Sequence, residues 1–283
     1  MLRALALRVV VAVLAPASLA AAQTLTFEVA SIKPNRDGGA TPGGIRPLPN
    51  GRLNATNVTL DELLRRAYRL HESQLIGGPA WMKSDRFDIV AAAGAAPARG
   101  VDDVLLMLRA LLLERFRLDA SLEKRELPAY VLTHARPDRT LGPNLRPSTV
   151  DCSKNQAGLT PNSATLDAGG WPPCGIAWVF TTAFRSTEGT RLGRVVKHAG
   201  TPIAEIARTM MLSAERPVVD GTGLTGLFDA NYEFESATGS APAPLERPDL
   251  FTAVREQLGL RLDARRTDVD VLVVRSAGGL VEN

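Results

Sequence analysis

Hydrophobic positions along this chain switch between two spacings, and the switches mark its elements. Thr24 to Ile32 alternate apolar and polar and read as an opening strand, closed by Lys33-Pro34. Residues 35–50 are rich in Gly, Pro and Arg and are expected to be loop, with a second strand at Gly51 to Asn54. Thr59-Leu60-Asp61-Glu62 then forms a capping box, in which hydroxyl and carboxylate satisfy orphan amides reciprocally. The helix it opens, Leu60 to Leu70, places Leu60, Leu63, Leu64 and Ala67 on one face. A glycine-proline turn (Gly77-Gly78-Pro79), a strand at Arg86 to Ala92 and a Leu-rich helix at Asp102 to Arg115 follow. The next stretch reads as a hairpin: Phe116 to Leu122, a turn near Glu126, then Ala129 to His134.

Residues 137–192 lose this periodicity and fill with Pro, Gly, Ser and Thr, as expected of an insertion. The first pattern then returns. Gly193-Arg194-Val195 answers Gly51-Arg52-Leu53, and Thr201-Pro202 starts a helix with a capping hydroxyl and a first-turn proline. Phe228-Asp229 answers Phe87-Asp88, and the helix Asp249 to Leu258 stops at Gly259. Arg261-Leu262-Asp263-Ala264 repeats Arg117-Leu118-Asp119-Ala120 letter for letter, ahead of a closing hairpin strand at Val269 to Arg275. Preserved order implies an internal duplication of a β-α-β-α-β-β unit. The expected class is α+β, with helices on one face of mixed or antiparallel sheets. The expected divisions are a leader (1–22), a first repeat (23–136), an insertion (137–192) and a second repeat (193–283).

The leader changes the charge picture. Arg3 and Arg8 precede the apolar run Val9 to Leu14, and Ala20-Ala21-Ala22 precedes Gln23, the layout of a secretory signal peptide cleaved after Ala22. Its apolar core is too short, and too broken by Pro16 and Ser18, for a membrane span. The precursor carries +3. Without Arg3 and Arg8, Lys plus Arg falls from 33 to 31 against 30 Asp plus Glu, leaving +1. No basic stripe interleaved with aromatics points to nucleic acid. The expected address is the periplasm or the exterior, where Cys152 and Cys174 can form a disulfide. Closing that loop would stabilise the fold by roughly 3 kcal/mol in the chain-entropy model. A metal pair is the rival reading, weakened by the lack of a nearby His.

Candidate chemistry is sparse. Gly221, Gly223 and Gly226 satisfy G-x-G-x-x-G, which requires a following helix to receive a pyrophosphate. The segment after Gly226, LFDANYEFE, alternates like a strand, so the glycines read as turn residues with Asp220. Asp220 and Asp229 also admit a paired-carboxylate reading, against that of turn formers bonding their own backbone. His71, His134 and His198 stand apart, in no metalloprotease motif, and read as structural or surface residues. No catalytic residue, metal ligand or cofactor site is assigned. Trp171 and Trp178 are the binding candidates, rigid aromatics on a bridged loop, with packing over the bridge or against the sheet as the alternative. Trp81 reads as an anchor for the first turn. Asn54 and Asn57 begin glycosylation-type triplets but fall where strand and cap residues are needed.

Several motifs carry a resemblance. Phe27-Glu28-Val29-Ala30-Ser31-Ile32-Lys33-Pro34-Asn35, Gly77-Gly78-Pro79-Ala80-Trp81, Pro173-Cys174-Gly175, Val218-Val219-Asp220 with Thr222-Gly223-Leu224, and Gln257-Leu258-Gly259-Leu260 resemble the exported family called domain of unknown function 3738, much expanded in soil bacteria. The resemblance implies export and no particular reaction. Some relatives carry the domain behind an antibiotic-sensor metallopeptidase, which implies an extracytoplasmic sensing role for those chains. Each half also resembles, more loosely, the short N-terminal domain of secretins and TonB-dependent receptors, a protein-interaction module.

The expectation is a binding or interaction module of the cell envelope rather than an enzyme. Its expected partners are an envelope protein or a small extracellular ligand, without nucleic acid or stable membrane insertion. An envelope hydrolase and a detached sensor element are the alternatives.

Overall fold

A computed structural model describes residues 25–37, 43–48, 50–94, 100–149, 171–172, 177–186, 189–235 and 247–280. The chain opens with strands β1 (Phe27–Pro34), β2 (Gly44–Leu48) and β3 (Arg52–Thr59), then helix α1 (Leu60–Tyr68). Strands β4 (Leu75–Gly77) and β5 (Arg86–Ala93), helix α2 (Val101–Arg115) and strands β6 (Asp119–His134) and β7 (Leu145–Pro147) follow. The remainder comprises β8 (Ala177–Ser186), β9 (Gly189–Thr201), α3 (Ile203–Met210), β10 (Val218–Asp220), β11 (Phe228–Glu235), α4 (Leu250–Leu258) and β12 (Leu260–Ser276). The class is α+β, with four helices against mixed and antiparallel sheets among the described residues.

Local chemistry accounts for the helix ends. Thr59 Oγ1 accepts from the Glu62 amide at 3.2 Å, while Glu62 Oε2 accepts from the Thr59 amide at 2.8 Å. Asp249 Oδ1 accepts from the Thr252 amide at 2.7 Å and starts α4. Gly259 closes α4 in the left-handed region at φ 70°. The start of α3 departs from expectation. Its N-cap is Pro202, and the Thr201 hydroxyl donates to Ala199 O at 3.3 Å instead of capping the helix.

The strands form three sheets, ordered β1-β5-β3-β2, β10-β6-β12-β4 and β7-β11-β9-β8. The expected hairpin between Phe116 and His134 is not formed. β6 is one 16-residue strand, and it pairs antiparallel with the 17-residue β12 over nearly its full length. The polar run Glu123 to Glu126 looked like a turn because its charges interrupt the apolar alternation. In the structure those charges pair across the ladder, Lys124 to Asp270 at 2.8 Å and Glu126 to Arg266 at 2.8 Å. Pro128 costs no ladder bond. The Tyr130 amide, two residues on and facing the same side, donates to Pro217 O beyond that edge of β6. β10 pairs with β6 only at Tyr130 to Leu132, so Pro128 faces an open edge.

The short edge strands of this middle sheet run parallel to their neighbours, β10 beside β6 and β4 beside β12. The sheet therefore alternates strands from the C-terminal and N-terminal parts of the chain. Each hydrophobic core inherits that exchange. The first core gathers α1, α2, β3 and β5 around Leu63, Leu108 and Ile89, and takes Leu272 and Val274 from β12. The second gathers α3, α4, β9 and β11 around Ile206, Val254 and Tyr232, and takes Leu132 from β6. Burial of these apolar faces is the main stabilising term, at about 25 cal/mol per Å² removed from water.

Two stretches expected to be irregular supply strands. β2 lies within residues 35–50 and tolerates Pro47 because it is an edge strand. β7 and β8 lie within 137–192 and flank the third sheet. The outer sheets also share a local device. Asn57 adopts φ 50° and Gly200 φ 56°, each at a break in strand register. The Asn57 amide donates to Asp88 Oδ1 at 2.8 Å and the Gly200 amide to Asp229 Oδ1 at 3.0 Å. Each aspartate also holds the next strand over, Asn35 Nδ2 at 2.9 Å for Asp88 and Arg146 Nε at 3.4 Å for Asp229.

Candidate functional site

The glycine turn is a backbone device. Asp220 Oδ1 accepts from the Thr222 amide at 2.9 Å and the Thr222 hydroxyl at 2.8 Å, and Thr222 Oγ1 accepts from the Leu224 amide at 3.1 Å. Gly221 packs against β6, where a Cβ would lie 2.5 Å from Val131 Cγ1. Gly223 and Gly226 adopt φ 71° and 94°, and the next element is strand β11 rather than a helix. Asp229 is buried beneath Arg146 and occupied by the Gly200 amide. Asp220 and Asp229 thus each accept a backbone amide through Oδ1.

Each histidine occupies a different environment. His71 Nδ1 accepts from the Ser73 amide at 3.2 Å and caps a short 3-10 turn (Glu72–Gln74), while burial lowers its pKa. His134 ends β6 with a buried Nδ1 that has no hydrogen-bond partner. His198 lies in β9, wholly buried in the second core, with neither ring nitrogen partnered. Its ring stacks on Tyr232 at 6.3 Å with 11° between planes. Burial depresses its pKa to about 3, so the ring is neutral at any physiological pH. Among the described residues no three His, Cys, Asp or Glu side chains gather in a metal-holding group.

Of the two binding-candidate tryptophans, Trp171 is half-buried, with the Arg146 guanidinium 5.4 Å and the Lys197 ammonium 5.8 Å from its ring. Two cations over one indole are a stabilising arrangement. Trp178 lies in β8, at the register position opposite Lys197. Cys152, Cys174 and the leader lie outside the described residues.

A concave site forms elsewhere, at the end of β1. An open cleft of about 720 Å³ is lined by Asn35, Arg36, Trp81, Asp85, Arg86 and Phe87, with Leu280 beside them. That volume falls in the range of ordinary small-molecule sites. Pro79 starts a 3-10 turn (Ala80–Lys83) that presents Trp81. The Trp81 ring lies 6.1 Å from that of Phe116, which meets Phe87 edge-on at 5.1 Å. The Asp85 amide donates back to Trp81 O at 2.8 Å, so the indole is held by backbone and by aromatic packing.

Arg86 and Asp85 of the cleft are also fixed. Arg86 Nη1 donates to Asn57 O at 2.8 Å, leaving the rest of its fork for other acceptors. Ser84 Oγ donates to Asp85 Oδ1 at 3.0 Å. Arg36 is exposed and has no ion-pair partner among the described residues. An aromatic wall with two guanidiniums suits a ligand having an apolar body and an anionic end. Reading the sequence alone assigned Trp81 to a turn and missed this cleft. Its walls come from residues 34–36, 81, 84–87 and 279–280, and the available signals were Arg36 after the first strand and Arg86 opening the strand that follows Gly-Gly-Pro-Ala-Trp.

Among the described residues these features define an α+β protein whose two larger cores are joined by one shared sheet. The chain belongs to the family described as "Protein of unknown function (DUF3738)", matched over residues 61–277. Four of the five resembling motifs fall inside that span, and the opening Phe27 to Asn35 precedes it. No curated protein and no solved structure matches the chain, so the likeness to the secretin and TonB-receptor domain gains no structural counterpart.

Proposed function

We propose that this protein is a non-catalytic binding module of the cell envelope, and that the Trp81 cleft holds its ligand. The carrying observation is the 720 Å³ cleft with its braced indole, half-used Arg86 and unpaired Arg36. The ligand class is a small or peptide-like molecule with an apolar or aromatic body and a carboxylate. Stacking and apolar burial would supply affinity, and the guanidinium fork would fix orientation.

The body is, on this proposal, a duplicated unit, its first copy at 23–136 and its second ending at 283. The matching orders of the first and third sheets support it, as does the paired use of Asp88 and Asp229. Because β7 and β8 take the places of β1 and β2, the second copy reaches back from 193 into residues 137–192. The leader at 1–22 and a Cys152–Cys174 bridge complete an exported protein. No helix among the described residues is long and apolar enough to cross a membrane. Mass spectrometry of the secreted chain is expected to show a start at Gln23 and a mass two hydrogens below the reduced form. A retained leader or two free thiols would contradict this part.

Binding is tested by thermal unfolding of the oxidised mature chain against apolar and aromatic carboxylates, N-acetylated amino acids, cell-wall peptides, nucleotides and metals. A ligand at 100 times its dissociation constant adds about 2.7 kcal/mol, a shift of several degrees. The expected stabilisers are carboxylates with an apolar body, and Arg36→Glu is expected to abolish their effect while leaving the ligand-free midpoint unchanged. Stabilisation by carboxylates that persists in Arg36→Glu would remove the ligand from this cleft.

A further inference from the structure

A second charged site is centred on Arg69, whose guanidinium ties the end of α1 to α2 and α3. Arg69 caps α1 in the left-handed conformation, φ 55° and ψ 49°, which turns its side chain toward the other two helices. Its Nη1 donates to Glu205 Oε2 of α3 at 2.8 Å, and its Nη2 to Asp102 Oδ1 at the start of α2. Arg208, one turn along α3, pairs with the same Glu205. Arg109, two turns along α2 from Asp102, donates from Nε to Ala67 O at 2.8 Å and sits 4.6 Å from the Tyr68 ring. Arg66 is exposed one turn before Arg69, and its guanidinium has no partner among the described residues.

Asp102 pairs with Arg69, and Glu205 with both Arg69 and Arg208, while the guanidiniums of Arg66 and Arg109 have no carboxylate partner among the described residues. Burial lowers the pKa of Arg69. Glu205 opposes that effect, while Arg208, Arg66 and Arg109 are close enough to reinforce it. Partial burial of its guanidinium also lowers the pKa of Arg66. Side chains held together against mutual repulsion, with donors unspent, form a site that an oxyanion completes.

We propose that this helix junction binds a phosphate group, either as free phosphate or as a phosphomonoester. Arg66 and the unused donors of Arg109 and Arg208 would receive its oxygens, and Asp102 would compete for Arg69. Because α1 and α2 belong to the first core and α3 to the second, the bound anion would also brace the two cores against each other. The site shares no residue with the Trp81 cleft, so either can fail alone.

The test is calorimetric titration of the mature chain with inorganic phosphate and with glycerol 3-phosphate at constant ionic strength. Saturable one-to-one binding is expected. Arg66→Gln is expected to weaken it at least tenfold without lowering the unfolding midpoint in chloride, since no contact is lost. Asp102→Asn is expected to tighten it, because Arg69 Nη2 is released to the anion. Tighter binding of inorganic phosphate would mark a free-phosphate site, and tighter binding of the ester a phosphomonoester site. Absence of saturable binding, or equal affinity in Arg66→Gln, overturns the proposal.

Discussion

Urea unfolding of the mature chain is expected to lose about 3 kcal/mol of stability between pH 7 and pH 4 through His198 alone. The ring is wholly buried, stacked on Tyr232, and has no partner for either nitrogen. In the unfolded chain it takes up a proton near the ordinary histidine value of 6.5, whereas in the fold burial holds its pKa at about 3. Between those values the unfolded state binds more protons than the native state, so stability falls as pH falls. The loss begins below pH 6.5 and levels off once the native ring also titrates.

His198→Leu isolates this term from the carboxylates and other histidines. The variant is expected to match or exceed the parent at pH 7, because it removes two unsatisfied polar atoms from an apolar site. It is also expected to lose about 3 kcal/mol less on acidification, read as the difference between the two midpoint-versus-pH curves. Parallel curves would mean that His198 reaches solvent or a partner in solution.

The second large effect is steric. Gly259→Ala is expected to cost roughly 3 kcal/mol or more, or to prevent folding. A Cβ there would stand 2.4 Å from Gly142 N and 2.8 Å from Leu141 C, both backbone atoms that cannot swing aside. The residue also holds φ 70° at the end of α4, which adds about 1 kcal/mol of conformational strain for any L side chain. Gly142 N donates to Leu258 O at 2.9 Å in the same contact, so relieving the clash breaks that bond too. The segment after β6 is thereby clamped onto the α4–β12 junction. Chemical denaturation of Gly259→Ala beside Gly279→Ala, whose Cβ would meet open space, separates the clash from a general glycine effect. Similar losses in both would contradict the account.

Sequence made local chemistry visible and hid distant pairing. The Thr59–Glu62 box and the stop at Gly259 were legible because each is a short-range signal with its own hydrogen bonds. The Asp220 to Thr222 amide contact is a short-range bond of the same kind. β6 was not, because its charged middle is stabilised by Asp270 and Arg266, some 140 residues away. A charge inside a long ladder and a charge in a turn look alike until the partner strand is known. Pro47 and Pro128 misled in the same way, since edge position decides whether a proline costs a bond.

The sites were hidden for a related reason. Trp81 and Arg36 lie 45 positions apart and meet only because β1 pairs with β5. Arg69 reaches Glu205 across 136 positions. His198 looked like a strand residue of either face, and only the packing of the second core shows that it points inward. Trp171 and Trp178 were singled out for rarity and setting, and the approach of Arg146 and Lys197 to the Trp171 ring joins residues 25 and 26 positions away from it.

The central claim, ligand binding at the Trp81 cleft, is most directly tested by a ¹H–¹⁵N NMR titration of the mature chain with N-acetylphenylalanine, a minimal apolar body with a carboxylate. Saturable shifts are expected at the Trp81 indole N–H and at the Arg36 and Arg86 amides, and their loss is expected in Arg36→Glu. Shifts centred on Trp171, or none that saturate, would contradict the account.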